Sequence, residues 1–433
     1  MEAAMRVTLL AALALVLAVG GSSAGPSADQ ADSGWAGPVA WVELTGAGQV
    51  IRAVAEGLDC PAVEIDGRAL PMSLRAAPDA AFPKPVCQLT VPTGARQASL
   101  GGQALPLLTA RPRRILVLGD TGCRLHGEQI QDCDNLASWP FPRVAQLGAA
   151  MKPDLVIHVG DYYYRESPCP AGRAGCAGSP FGDAWPTWRA DFFDPAAPLL
   201  RAAPFVFARG NHESCSRGGA GWTRLLDAGP GDGACPPTDA AFTVDLGGLN
   251  LYVLDSADAD DLNPKPEGVA RIGGQLDAVA GGLAHQPGWI LTHRPVWAVV
   301  PVARLGPVGP VEVALNKTLQ AAVRGRDLSA VSMIVSGHVH HFAAYDFGPQ
   351  RPAQLVAGTG GDSEEEADLR RIRTSQRTLD GLAAQRLTFA RFGYLMLERD
   401  PTGPGWSGIF RDMDDHPVAD CRLDGRALTC HPA

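Results

Sequence analysis

Ser336-Gly337-His338-Val339-His340-His341 decides how this chain is read. The apolar run Met333-Ile334-Val335 leads into it and predicts a buried strand. At the end of that strand stand two imidazoles one residue apart, after a glycine. If the chain turns there, both can aim at one point, and the glycine permits the turn. One His-x-His pair is a weak signal, because a core histidine with satisfied hydrogen bonds is the commoner case. Its weight comes from recurrence: four more apolar runs upstream break off in the same way.

Ile115 to Leu118 is followed by Gly119-Asp120-Thr121-Gly122, and Leu155 to Val159 by Gly160-Asp161-Tyr162-Tyr163-Tyr164. Phe205 to Phe207 precedes Gly210-Asn211-His212-Glu213, and Ile290-Leu291 precedes Thr292-His293-Arg294-Pro295. Helical periods over Val144 to Met151, Trp185 to Phe193, Arg271 to His285 and Val311 to Val323 separate the strands, which predicts a layered α/β domain. In such a sheet the residues just past the strands' carboxyl ends collect along one edge. The set gathered there is rich in oxygen and imidazole and has no thiolate, which suits Fe, Mn, Zn or Mg. It is too large for one ion. Two ions sharing a carboxylate, roughly 3.5–4 Å apart, are the natural arrangement, and Asp161 on the central loop is the best bridge.

In this order and spacing, Gly-Asp-x-Gly, Gly-Asp-x-x-Tyr, Gly-Asn-His-Glu, x-x-x-His and Gly-His-x-His resemble the calcineurin-like metallophosphoesterases, and specifically the purple acid phosphatases. The resemblance runs from about Ile115 to Gly361. It implies a four-layer α/β/β/α sandwich around a dinuclear centre. It places Asp120, Asp161, Tyr164 and His340 on one ion, and Asp161, Asn211, His293 and His338 on the other. Two carboxylates and a phenolate favour Fe(III) at the first position. An amide, two imidazoles and the shared carboxylate favour a divalent ion, Fe, Zn or Mn, at the second. Most relatives have a histidine two places after the first aspartate. Gly122 stands there, and Tyr164 takes over. The implied reaction is hydrolysis of a phosphate monoester by a metal-bound hydroxide. His212 is the candidate proton donor, and His341 and Arg294 are candidate contacts to phosphate.

Outside these loops the chain carries less chemistry. Arg6 followed by the apolar run Val7 to Val19 and Ser22-Ser23-Ala24 predicts a signal peptide over residues 1–24 and a secreted or periplasmic protein. A linker is expected over 25–38, a small all-β domain over 39–110, and the catalytic domain over 111–433. Residues 166–204, between two site loops, read as an insertion shaping the mouth. Ten cysteines in close sequential pairs predict five bridges: Cys60/Cys87, Cys123/Cys133, Cys169/Cys176, Cys215/Cys235 and Cys421/Cys430. A net charge of -9 speaks against nucleic acid as a structural partner. The expected partner is a small phosphate ester, with no membrane span after signal removal; the sequence leaves the oligomeric state open. Asn316-Lys317-Thr318 matches the glycosylation pattern only. Two alternatives stay open: a phosphodiesterase acting on nucleotides or lipid headgroups, and a non-catalytic phosphate-binding protein on the same scaffold.

Overall fold

Alternation along three short strands sets the architecture. Ile115 and Val117 point to one side of their strand, Leu116 and Leu118 to the other. The first pair joins Ile157, Val206, Leu251, Leu291, Met333 and Val335 in a core between two sheets. The second pair packs against Phe141, Val144 and Leu199 from the helices Phe141–Ala150 and Asp194–Ala202. Beyond the second sheet, Ile290 and Ile334 bury against Ile272, Leu276 and Leu319 from the helices Pro266–Ala278 and Lys317–Val323. Helix, sheet, sheet, helix is the expected α/β/β/α sandwich.

The computed structural model describes residues 35, 37–231, 234–302, 311–363 and 371–433. The expected signal peptide and most of the expected linker lie outside the described residues. Among the described residues the two large sheets have eleven and eight strands. Arg114–Leu118, Leu155–His158 and Phe205–Phe207 run parallel at the centre of the first. Asn250–Val253, Gly288–Leu291, Val331–Ser336 and Ala353–Ala357 run parallel in the second. Both sheets therefore deliver carboxyl ends of strands to one side of the molecule.

Residues 39–110 are built of strands without a helix. Val39–Thr45 lies parallel beside Phe205–Phe207, so this stretch also continues the first large sheet, out to Ser73–Ala76. It closes a core of its own as well, with Val42, Ile51 and Ala53 packed on Val63, Ile65 and Leu100 of a four-stranded sheet. Gly393–Arg399 and Trp406–Asp412 form the expected antiparallel pair, and the former also pairs with Arg114–Leu118. All five cysteine pairs close as expected. Among the described residues no helix is long and apolar enough to cross a membrane.

Two helices differ from expectation. The one over Arg271 to His285 is split into Pro266–Ala278 and Ala280–His285, where Gly281-Gly282 weakens helix propensity. The one over Val311 to Val323 begins only at Lys317. Val311–Ala314 instead forms a hairpin with Val299–Val302, because Val-Glu-Val is a β-branched alternation. Asn316, left-handed with φ 64°, separates the two elements. It is fully buried, so the glycosylation pattern offers no acceptor on the folded surface.

Candidate metal centre

Three of the residues that end these strands have left-handed backbone: Asp120 at φ 58°, Asp161 at φ 58° and His338 at φ 69°. Such conformations cost of order 1–3 kcal/mol each and persist only where neighbours enforce them. The enforcers are visible. Asp120 N–H donates to Gly160 O at 2.9 Å. Asp161 N–H donates to Glu213 Oε2 at 3.0 Å. His338 N–H donates to both carboxylate oxygens of Asp120 at 3.1 Å. The glycines before His338 and Asn211 are there for space rather than for the turn. A Cβ on Gly337 would lie 2.2 Å from Asp120 Oδ2, and one on Gly210 would lie 2.1 Å from Asp161 Oδ1.

Two groups of donors meet at Asp161. On one side the Tyr164 hydroxyl donates to Asp161 Oδ2 at 2.8 Å and lies 3.3 Å from Asp120 Oδ1 and 3.1 Å from His340 Nε2. His340 Nε2 is 3.5 Å from Asp120 Oδ1. On the other side Asn211 Oδ1 lies 3.0 Å from His293 Nε2 and 2.8 Å from His338 Nδ1, with His293 Nε2 3.2 Å from Asp161 Oδ2. Asp120, Asp161 and His293 each place a ligand atom within 4.8 Å of the other two. Seven residues predicted from the sequence thus lie close together around Asp161.

The donor chemistry fits a pair of hard or borderline cations, since every cysteine is bridged and none competes. Electrostatics agrees. Burial alone would push His293 down, yet the Asp161 carboxylate draws it up to about 9. Asp362 and Asp120 do the same to His340, also up to about 9 against burial. Burial opposes ionisation of Asp161, but the charges of His293 and His212 hold it well below the usual carboxylate range. These carboxylates call for positive charge. The outer nitrogens of the histidines are pinned as well: His293 Nδ1 by Val159 O at 2.8 Å and His340 Nδ1 by Ser363 O at 2.9 Å. Both rings then present Nε2 inward, which is how a metal-binding histidine is commonly oriented.

The candidate catalytic residues divide. His212 is buried against the Tyr164 ring and lines the cleft, a cavity of about 690 Å³ that also touches Arg124, Gln129, Asn211, His338 and His340. Its Nδ1 sits 2.6 Å from Glu166 Oε1 and its Nε2 3.9 Å from Asp161 Oδ2. Burial pushes Glu166 up, but hydrogen bonds from His212 and Arg217 outweigh it, leaving a carboxylate. Arg294 does not line this cavity but lines the neighbouring one that also touches Asn211; its guanidinium is bound to Asp261, with Nη1 2.5 Å from Oδ2. His341 lies away from the cleft, 1% exposed, with neither ring nitrogen hydrogen-bonded. Burial and the Arg386 charge push it down to about 3, so it is a neutral core group. Successive side chains leave a strand end in opposite directions, so adjacency to His340 did not carry His341 into the site.

Several acids were missed by sequence reasoning. Glu213 accepts from the N–H groups of Gly210, Asp161, Tyr162 and Tyr163 and so shapes the Asp161 loop. Its place in Gly-Asn-His-Glu was the available signal. Asp191, buried between the Tyr164 and Asn211 loops, accepts from the N–H groups of Cys123, Tyr164 and Arg165. Glu166 and Asp261 carry no local pattern that marks them. Tyr162 and Tyr163 are core aromatics; the Tyr162 hydroxyl donates to Ala208 O at 2.9 Å, and Tyr163 stacks on Trp188.

The family described as calcineurin-like phosphoesterase matches residues 113–342. Among solved structures, a purple acid phosphatase isolated from yellow lupin (Lupinus luteus) seeds superposes with a TM-score of 0.53. It shares 13% identity over 92% of this chain and 74% of that chain, a likeness of fold. GAP50, the anchor in the inner membrane complex of Plasmodium, matches at TM-score 0.37 and 11% identity over 74% of this chain and 88% of its own. YfcE, a phosphoesterase from E. coli, matches at 0.29 and 14% over 72% of this chain and all of its own. No curated protein matches the sequence.

Proposed function

Because the chain belongs to the calcineurin-like phosphoesterase family, we propose that it is an exported hydrolase of phosphate monoesters that works with two metal ions. The observation that carries this reading is the pair of donor sets sharing Asp161, with Tyr164 in one and Asn211 in the other. Asp120, Asp161, Tyr164 and His340 would hold Fe(III). Asp161, Asn211, His293 and His338 would hold a divalent ion, Fe, Zn or Mn. When bound, the ions supply Lewis-acid charge for the phosphoryl oxygens and lower the pKa of water. The protein's own groups do the rest. As the imidazolium, His212 would donate its Nδ1–H to Glu166, which orients the ring, and give its Nε2 proton to the departing alkoxide, returning to neutral imidazole. Glu213 and the left-handed backbone fix Asp161 before substrate arrives. In the same reading residues 1–24 are a cleaved signal peptide and 111–433 the catalytic domain. Five disulfides support an oxidising destination.

One observation favours the diesterase reading. A second cavity of about 590 Å³, lined by Arg217, Lys265 and Arg271, meets the cleft at Asn211 and gives room for a second substituent on phosphorus. Comparing hydrolysis of p-nitrophenyl phosphate with that of bis-p-nitrophenyl phosphate separates the two.

The deciding experiment is metal content per chain with the visible spectrum. Two ions, one of them iron, and a tyrosinate-to-Fe(III) band that disappears in Tyr164→Phe are the expected result. A chain that takes up no metal would sink the proposal.

A further inference from the structure

The three imidazoles of the centre are not held alike. His293 and His340 turn their outer Nδ1 to main-chain carbonyls. His338 is reversed: Nδ1 faces inward, 2.8 Å from Asn211 Oδ1, and the outer nitrogen is Nε2. Among the described residues no carbonyl bonds to it there. Nε2 meets a carboxylate, Asp261 Oδ2, at 3.1 Å. Arg294 Nη1 reaches the same oxygen and also lies 2.9 Å from Nε2. Arginine cannot accept, so Arg294 donates to Asp261, and Nε2 either donates to the same carboxylate or accepts from Arg294, according to which ring nitrogen holds the proton.

The carboxylate is itself fixed. It stands on the loop after the Asn250–Val253 strand. Lys317 N–H donates to Asp261 O at 2.9 Å and the Thr318 hydroxyl to Asp260 O at 2.7 Å, tying that loop to the start of the Lys317–Val323 helix. Arg294 N–H donates to the Ser256 hydroxyl at 2.9 Å on the same loop.

A neutral imidazole carries one N–H, and the bond made by its outer nitrogen decides which atom holds it. For His338 the competing tautomer is available in place: an Nδ1–H would donate straight to Asn211 Oδ1. That form has no inward lone pair and cannot ligate. We infer that Asp261 is the positioning residue that holds His338 as the Nε2–H tautomer against this competitor. Arg294 serves it by fixing the carboxylate rather than by touching phosphate. The inference rests on the proposed role of His338 as a ligand of the divalent ion.

The test uses the full chain with 15N-labelled histidine, as wild type, Asp261→Ala and Asp261→Asn. Long-range proton–nitrogen spectra of the metal-free protein report the His338 tautomer, and titration with Zn(II) reports affinity. Wild type is expected as Nε2–H. Asp261→Ala is expected as Nδ1–H, with roughly 10–100-fold weaker uptake of one ion and the other unmoved. Asp261→Asn, which keeps an acceptor without charge, is expected in between and serves if the alanine variant folds poorly. An unchanged tautomer with affinity within twofold in both variants overturns the inference. A wild type that binds no metal overturns the proposed function instead, and the tautomer alone then decides the role of Asp261.

Discussion

Gly337 carries no side chain, and that absence positions Asp120. In Gly337→Ala the new Cβ would sit 2.2 Å from Asp120 Oδ2, too close to survive without moving the carboxylate. A displacement of about 1 Å at a reacting centre costs roughly 100-fold in rate. We expect kcat/KM to fall by that order with the fold retained, checked by steady-state kinetics beside circular dichroism. His341 should behave in the opposite way. Its two nitrogens are buried without partners, so His341→Leu removes unsatisfied polar atoms. Stability should hold or rise by about 1 kcal/mol in urea, and activity should stay within a few-fold of wild type; a loss of 100-fold would return His341 to the chemistry.

At the scale of elements, the end of one short helix is held by an arginine from far upstream. Gly219–Leu225 follows the loop of Asn211, His212 and Glu213, and its last carbonyls need donors. Arg75 supplies them: Nε to Arg224 O at 2.9 Å, Nη2 to Thr223 O at 2.8 Å and Asp227 O at 2.7 Å, and Nη1 to Gly229 O at 2.7 Å. Arg75→Ala leaves these acceptors bare, and we expect about 3–5 kcal/mol of lost stability in chemical unfolding. Nothing in the local sequence announced this contact. What was legible were apolar runs that end in Gly-Asp, Gly-Asn-His and Gly-His-x-His, because a strand and its terminal loop are local in the chain. Asp261, Glu166 and Asp191 were not, since an acid in a loop looks the same whether it faces water or a histidine. Val311 to Ala314 was misread because four residues between helix-compatible neighbours give both periods an equal fit.

For the whole molecule, the bridges are distributed unevenly in what they secure. Each closes a short local loop, separated by 27, 10, 7, 20 and 9 residues, and none ties the two large sheets together. Cys123–Cys133 follows the Asp120 loop and Cys215–Cys235 follows the Asn211 loop. Mild reduction should therefore abolish activity before the cooperative loss of far-UV signal; coincident transitions would show that the bridges support the layers instead. The layers depend on pairing between distant stretches. In the eleven-stranded sheet the central strand Arg114–Leu118 has Leu155–His158 on one side and Gly393–Arg399 on the other. The strand that aims Asp120 thus stays a bare edge until residues 393–399 have been made, open to pairing with any other extended chain. Synthesis delivers those residues after the rest of the centre. Acquisition of activity is consequently a late event, slow in the manner of all sheets closed by remote partners, and a chain stopped short of residue 393 would present an adhesive edge instead of an enzyme.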